Sequence, residues 1–239
     1  MAPQEIVVFV EGKGDVNAVP ILAKRVMSTL NERGDVVVAA SPFRVRGVGA
    51  LVREGGKDWL RYLQDATKRA RVVGVLLVLD GDLKEVPKTW KTYIDRFRTS
   101  DFCAMRAAAA LADMGKAARA GELFSVATVF VMKEFEAWLL AGIEGLRGKS
   151  LAEGRGIIPA NAEVPAGLDI EGKRDIKGVL RKSLGGVYSE TLDQAELARH
   201  VDLTLLRQRC RSFLRFESAI RQLVDSARSG AHALSPIIV

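Results

Sequence analysis

Three acidic side chains follow two apolar, β-branched runs of the sequence. Glu11 comes directly after the run Ile6 to Val10, and Asp80 and Asp82 follow the run Val72 to Leu79. Carboxylate oxygens are preferred ligands of Mg²⁺ and Mn²⁺, and an ion held by them can polarise a phosphoryl oxygen or lower the pKa of a bound water. These residue types therefore fit a divalent-metal site that could activate a phosphate group.

Both runs are typical of strands buried on both faces of a parallel sheet. Ligands bind beyond the carboxyl ends of such strands, so we expect Glu11 to meet the Asp80 and Asp82 pair at one edge. The two aspartates project to the same side if the extended geometry continues through Gly81. Without a cation, three clustered carboxylates would raise one another's pKa. A second interpretation stays open, because acidic residues and glycine are also common in ordinary turns.

Strands and helices alternate over the first 145 residues. Apolar runs predict strands at residues 6–10, 36–40, 72–79 and 124–132. Helical spacing predicts helices around residues 19–30, 58–71, 102–120 and 134–141. This alternation predicts an α/β fold with a mostly parallel sheet flanked by helices.

The composition changes after residue 145. Residues 146–172 are rich in Gly, Pro and Ala and predict a loop or linker. Helices are then predicted around residues 175–184, 193–198, 203–209 and 211–228. We therefore expect an α/β domain over residues 1–145, and a linker with a C-terminal α-helical appendage over residues 146–239.

The net charge favours a polyanionic partner, although many bacterial enzymes carry such a charge without any nucleic-acid role, and the cysteine content indicates a reducing compartment. The chain has 36 Lys and Arg against 29 Asp and Glu, a net charge of +7, which favours nucleic acid as a partner. Its two cysteines are isolated, and neither a signal peptide nor a long uncharged apolar run is visible. The sequence therefore predicts a cytoplasmic location and no membrane span.

Three lysines are candidates for contacts with phosphate groups. Lys13 follows Glu11 closely. Lys173 and Lys177 are four residues apart and would share one helical face if the helix begins early, which would let Lys177 stabilise charge at a scissile phosphate. A solvated basic face explains the same spacing, so both interpretations stay open.

Three arginines, Arg207, Arg211 and Arg215, follow an i, i+4, i+8 row. Such a row could track a nucleic-acid backbone, and we name Arg207 and Arg211 as candidate contacts. Surface helices often carry rows of this kind without a ligand. The arginine row therefore indicates nucleic-acid binding only together with other features.

The segment IVVFVEGKGD, Ile6 to Asp15, and the later LLVLDGD resemble the Toprim domain of topoisomerases, bacterial primases and OLD-family nucleases. In that family a glutamate after the first strand acts in acid/base chemistry or metal binding, and a DxD after a later strand binds Mg²⁺. The resemblance implies these roles for Glu11, Asp80 and Asp82. Asp15 matches an additional acidic position of OLD-type nucleases, which implies that it helps to hold a second ion.

The sequence also resembles a bacterial Toprim-like family of uncharacterised function, which is often considered alongside ATPase-linked defence nucleases. Four segments carry this resemblance: FVMKEFEAWLLA from residue 130, DIKG from residue 175, VYSETLDQAELA from residue 187 and SFLRF from residue 212. It implies a partner ATPase and a role in bacterial defence or DNA processing. A metal-facing carboxylate is plausible after the last strand of the domain, and we rank Glu134 ahead of Glu136, which we expect to face solvent.

The leading hypothesis is a Toprim nuclease that depends on Mg²⁺ or Mn²⁺ and acts on nucleic acid. Asp80 and Asp82 would hold the metal, and Glu11 would act as a ligand or general base. The alternative is a Toprim-like binding or adaptor module without turnover. A haloacid dehalogenase-type phosphatase is disfavoured because the DxD follows a later strand, and a P-loop enzyme because GxxxxGK[ST] is absent. The sequence leaves DNA or RNA preference, the number of metals and homo-oligomer formation open.

Overall fold

The structure is a computed structural model that describes residues 2–30, 34–81 and 103–236. Six strands are present in these ranges: β1 Gln4–Val10, β2 Val36–Val38, β3 Phe43–Arg44, β4 Val72–Asp80, β5 Ser125–Val131 and β6 Leu234–Ser235. Nine α-helices are present in the same ranges: α1 Asp15–Leu30, α2 Val48–Leu51, α3 Lys57–Thr67, α4 Ala104–Gly115, α5 Glu136–Ala141, α6 Ile176–Ser183, α7 Glu190–His200, α8 Leu203–Arg209 and α9 Arg211–Ser229. Short 3₁₀ turns occur at Arg53–Gly56, Lys116–Ala118, Ile143–Leu146 and Ala152–Gly154.

The six strands form one sheet in the order β2-β1-β4-β5-β6, with β3 paired to the end of β1. Every pairing between the described strands is parallel. The register sets Val10 beside Val78, and Asp80 beside Val131. The predicted α/β fold with a mostly parallel sheet is confirmed.

Both faces of the central strands are buried, which explains their uninterrupted apolar runs. Val8 and Val78 belong to the core cluster that includes buried residues of α1, α5 and α9. Phe9 and Leu77 point to the opposite face and pack in the cluster with α3 and α4. Because side chains alternate along each strand, every central strand contributes residues to two cores, one on each side of the sheet.

The helices after residue 145 pack onto the strand core. Helix α9 contacts β4 and β5, and α7 contacts α1. The ring of Trp138 lies 5.4 Å from that of Phe213 and 5.0 Å from that of Phe216, between ring centroids. Arg25 of α1 donates hydrogen bonds to the carbonyl oxygens of Ala198 and Val201, which fixes the end of α7. Within the described ranges, no helix combines the length and the hydrophobicity needed to cross a bilayer.

Candidate acidic site at the carboxyl edge of the sheet

Glu11 and Asp80 lie at the same edge of two neighbouring parallel strands. Glu11 follows the last residue of β1, and Asp80 is the last residue of β4. Since Val10 pairs with Val78, the two acids leave strands that are about 4.8 Å apart. Asp82, the other half of the predicted pair, lies outside the described residues.

The local contacts of these two acids differ. A Cβ built on Gly47 would come within 2.5 Å of the Glu11 Oε1 atom, so this glycine makes room for the Glu11 carboxylate. The Asp80 Oδ1 atom accepts a hydrogen bond of 3.1 Å from the backbone N–H of Phe135, just before α5. Both side chains are half-buried. The turn between β5 and α5 therefore holds the Asp80 carboxylate in place.

Asp15 is buried in the first turn of α1, where its Oδ2 atom accepts a hydrogen bond of 2.9 Å from the Gly12 N–H. Burial raises the pKa of Asp15 to about 6; the Gly12 bond opposes this, and the charges of Glu190 and Glu11 add to it. Lys177 lowers the pKa of Asp15 slightly. Asp15 therefore lies within electrostatic reach of Glu11 and of the C-terminal helices, and it ionises close to neutral pH.

Lys177 of α6 connects three carboxylates. Its ammonium lies 2.5 Å from Glu190 Oε1 and 3.6 Å from Glu136 Oε1, and its backbone N–H donates to Glu134 Oε2 at 3.3 Å. Burial alone would lower the pKa of Lys177, but the hydrogen bond to Glu190 and the three carboxylate charges raise it overall. The raised pKa favours the ammonium form of Lys177, which can neutralise acids or contact a phosphate.

Glu136 faces the interior, and the expectation that it faces solvent is wrong. The residue is 3% exposed, and its Oε1 atom accepts hydrogen bonds from Tyr188 Oη at 3.0 Å and Gln194 Nε2 at 3.4 Å. Burial raises the pKa of Glu136, and Lys177 is the main opposing influence. The reason is that α6 and α7 both contact the short helix that Glu136 begins.

Three residues at this edge, Tyr188, Glu190 and Gln194, are not predicted as site residues by the sequence. All three belong to the segment VYSETLDQAELA, which carries a family resemblance but no functional motif. They bring hydroxyl, carboxylate and amide groups from the start of α7 to the acidic edge. The only signal in the sequence was the concentration of polar residues in this segment.

The predicted lysine contacts are not assembled on one surface of α6. This helix begins at Ile176, after Asp175 in the left-handed conformation with φ of 56°. Lys173 precedes the helix and is exposed, so it does not share a helical face with Lys177. Lys13 is exposed in the turn between β1 and α1.

The arginine row does not run along one helix. Arg207 is on α8 and Arg211 is on α9, and Cys210 between them has extended backbone angles. The Arg207 side chain forms an ion pair of 2.7 Å with Glu217. Arg211 is exposed, and its backbone N–H donates to Glu171 at 3.0 Å. This division agrees with the separate helices predicted at residues 203–209 and 211–228, and nucleic-acid contacts of Arg207 and Arg211 stay a prediction.

The described residues of the acidic edge fit a metal centre in part. Glu11 and Asp80 offer the carboxylate oxygens that Mg²⁺ prefers. Within the part of the chain that the structure describes, however, no group of three or more His, Cys, Asp or Glu residues is arranged to hold a metal ion. The chemistry of the donors fits Mg²⁺, but the described residues alone do not assemble a complete ligand set.

Residues 10–221 match the sequence profile of the family described as "Domain of unknown function (DUF4276)". This match covers most of the chain. The chain belongs to the DUF4276 family. The DUF4276 region contains Glu11, Asp80, Lys177 and all the other members of the acidic site. No curated protein matches the sequence.

This DUF4276 chain is also similar to solved structures of the C-terminal region of the OLD protein from Xanthomonas campestris pv. campestris. The structure phased with iodine is 14% identical, has a TM-score of 0.41 and aligns over 95% of this chain and 97% of that chain. The structure phased with platinum is 16% identical, with a TM-score of 0.38 and coverage of 91% and 94%.

Proposed function

We propose that this protein is a Toprim-like, metal-dependent nuclease that hydrolyses phosphodiester bonds in nucleic acid. The observation that carries the proposal is the position of Glu11 and Asp80 at the ends of adjacent parallel strands, beside a group of acids around Lys177. This edge is where α/β sheets bind ligands. The net charge of +7 supports a polyanionic substrate.

In this proposal Glu11, Asp80 and Asp82 hold Mg²⁺ or Mn²⁺, and Asp15 contributes to a second ion. The metal, when bound, supplies Lewis-acid activation of the phosphate. The ammonium of Lys177 stabilises the negative charge that develops on the phosphate oxygens. Its ion pairs with Glu190 and Glu136 keep the ammonium in position. A partner ATPase and a role in bacterial defence belong to the same proposal and come from the sequence resemblance.

The test is a cleavage assay with end-labelled DNA and RNA in Mg²⁺ or Mn²⁺. Glu11→Gln and Asp80→Asn should each lower the rate by about 10²-fold or more, since metal activation supplies several kcal/mol. The matched controls are Glu122→Gln and Asp113→Asn, which change exposed acids elsewhere and should keep full activity. Cleavage that survives both site substitutions would contradict the proposal.

One observation favours the alternative, a nucleic-acid-binding or adaptor module without turnover. Lys177 already neutralises part of the acidic group, and the described residues include no ready-made metal centre. The same protein and labelled oligonucleotides distinguish the nuclease from the binding module. Metal-dependent binding of an oligonucleotide that stays intact, measured by gel shift, supports the module.

A further inference from the structure

Two arginines leave the sheet beside the acidic site, at the end of β3. Val10 of β1 pairs with Arg44, the last residue of β3, and the Val45 N–H donates to the Val10 carbonyl oxygen at 2.8 Å. Glu11 follows Val10 directly, so this parallel pairing ends at the carboxyl edge of the sheet. Arg44 and Arg46 therefore lie at the edge that carries the Glu11 carboxylate.

Contacts with Glu11 fix the position of the loop that contains these arginines. The Arg44 Nε atom donates a hydrogen bond of 3.2 Å to the Glu11 carbonyl oxygen. Gly47, the residue after Arg46, lies against the Glu11 side chain, since a Cβ added there would approach Oε1 to 2.5 Å. Both arginines are exposed, so their guanidinium groups are accessible to a ligand that approaches Glu11.

Arg44 and Arg46 differ from the cations that follow them in the chain. Around α3, three basic side chains pair with acids three residues away: Lys57 with Glu54, Arg61 with Asp58 and Lys68 with Asp65. Neither Arg44 nor Arg46 forms an ion pair with any residue that the structure describes. The hydrogen bond of Arg44 uses one of its five N–H donors, so the others can bind a phosphate.

Charge is distributed unevenly along the carboxyl edge. β3 lies on one side of β1, and β4 and β5 lie on the other side. Beyond β5, the carboxylates of Glu134, Glu136 and Glu190 surround the single ammonium of Lys177. Acids therefore outnumber cations on the β5 side, whereas the loop after β3 carries two arginines without acidic partners. Electrostatic attraction draws a polyanion towards the β3 side.

We propose that Arg44 and Arg46 bind the phosphate backbone of a nucleic-acid strand next to the scissile bond. The scissile phosphate lies at the acidic site, and the following phosphates lie over the loop after β3. Neighbouring strands are about 4.8 Å apart, so β3 and β4 are about 10 Å apart across β1, or about three nucleotide steps of a stacked strand. This inference rests on the proposed function, because it supplies that site with a surface that positions the substrate.

The salt dependence of oligonucleotide binding tests the two arginines. Labelled oligothymidylate and oligouridylate are titrated with the full chain in Ca²⁺, a cation that carboxylates also bind, and gels check that the oligonucleotides stay intact. Arg44→Gln and Arg46→Gln should each weaken binding about threefold or more at low salt. Each should also reduce the slope of log Kd against log salt concentration by about 0.7, the contribution of one phosphate contact on a single strand. Arg46→Lys keeps the charge and should keep the slope.

Arg221→Gln is the matched control. Arg221 is an exposed arginine of α9 that forms no ion pair with the described residues. It lies near the opposite edge of the sheet, because Leu223 of the same helix packs against Gly74 at the start of β4. This variant should keep the wild-type Kd and the wild-type slope.

Cleavage kinetics in Mg²⁺ distinguish a positioning role from a structural one. Arg46→Gln should raise KM about threefold or more and change kcat by less than about twofold, since it removes a contact made equally in the ground state and the transition state. A residue that only maintains the fold would lower kcat as well, and lysine would not restore the wild-type KM.

Arg46→Gln decides if Arg44→Gln fails to fold, because the Arg46 side chain forms no hydrogen bond with the described residues. An unchanged slope for Arg46→Gln, or equal losses for Arg46→Gln and Arg221→Gln, overturns this inference and leaves the nuclease proposal standing. Intact oligonucleotide in Mg²⁺ together with the expected slope change supports the arginine contacts and overturns the nuclease proposal. If the wild-type protein binds neither oligonucleotide, both are overturned.

Discussion

At the scale of single residues, Asp15 should make stability depend on pH. Burial raises its pKa from 3.8 to about 6, so the folded protein binds this proton more tightly than the unfolded chain. The free energy of unfolding is therefore reduced by this carboxylate only above pH 3.8. The reduction grows as the pH rises towards 6 and reaches about 3 kcal/mol above it. Asp15→Asn should therefore be more stable than wild type at pH 8 by up to about this amount, and equally stable near pH 3.5.

Urea unfolding of both proteins at pH 3.5, 6 and 8 measures this difference. The amide oxygen of an asparagine can still accept the Gly12 hydrogen bond, so the substitution isolates the charge. Asp113→Asn, on the surface of α4, is the control and should show no such trend. A stability difference that is the same at all three pH values would contradict the assignment.

The residues of the acidic edge were only partly predictable. Glu11 and Asp80 could be placed at one edge because each ends a long apolar run, and parallel strands bring such ends together. The burial of Glu136 could not be predicted, because it depends on helices more than 35 residues further along the chain. The contact of Lys177 with Glu190 could not be predicted either, because it depends on how two of these later helices pack against each other.

At the scale of elements, the packing of α1 against α7 requires a glycine at position 14. A Cβ on Gly14 would collide with the Gln194 side chain and with the backbone oxygen of Glu190. Gly14→Ala should therefore displace α7 and cost about 1–3 kcal/mol. Gly47→Ala is the matched control, because its Cβ would meet only the end of the flexible Glu11 side chain. Equal free energies of unfolding for the two variants, measured in urea, would argue against this packing constraint.

The bounds of most long strands and helices could be predicted to within a few residues. The elements that were missed or predicted too short have physical causes. Strands β3 and β6 are two residues long, too short for an apolar pattern. Helix α7 was predicted at 193–198 but spans Glu190–His200, because its buried residues include the polar Asp193 and Gln194. Polar residues on the inner face hide the helical period on which such predictions rely.

At the scale of the whole molecule, the first 145 residues should not fold alone. Helix α9 packs against β4 and β5, and its Phe213 and Phe216 rings contact Trp138. Removing residues 146–239 would expose this apolar face of the sheet to water. Circular dichroism of the fragment in urea should show no cooperative transition, whereas the full chain should show one. A cooperative transition of residues 1–145 would instead support the separate α/β domain expected from the sequence.

The late position of α9 in the chain also has a consequence during synthesis. Strand β5 ends at Val131, but α9 begins only at Arg211, about 80 residues later. At roughly 5–20 residues per second, a ribosome needs roughly 4–16 s to cover that distance. Throughout this interval the nascent sheet lacks its cover, so chaperone capture and self-association compete for the same apolar face.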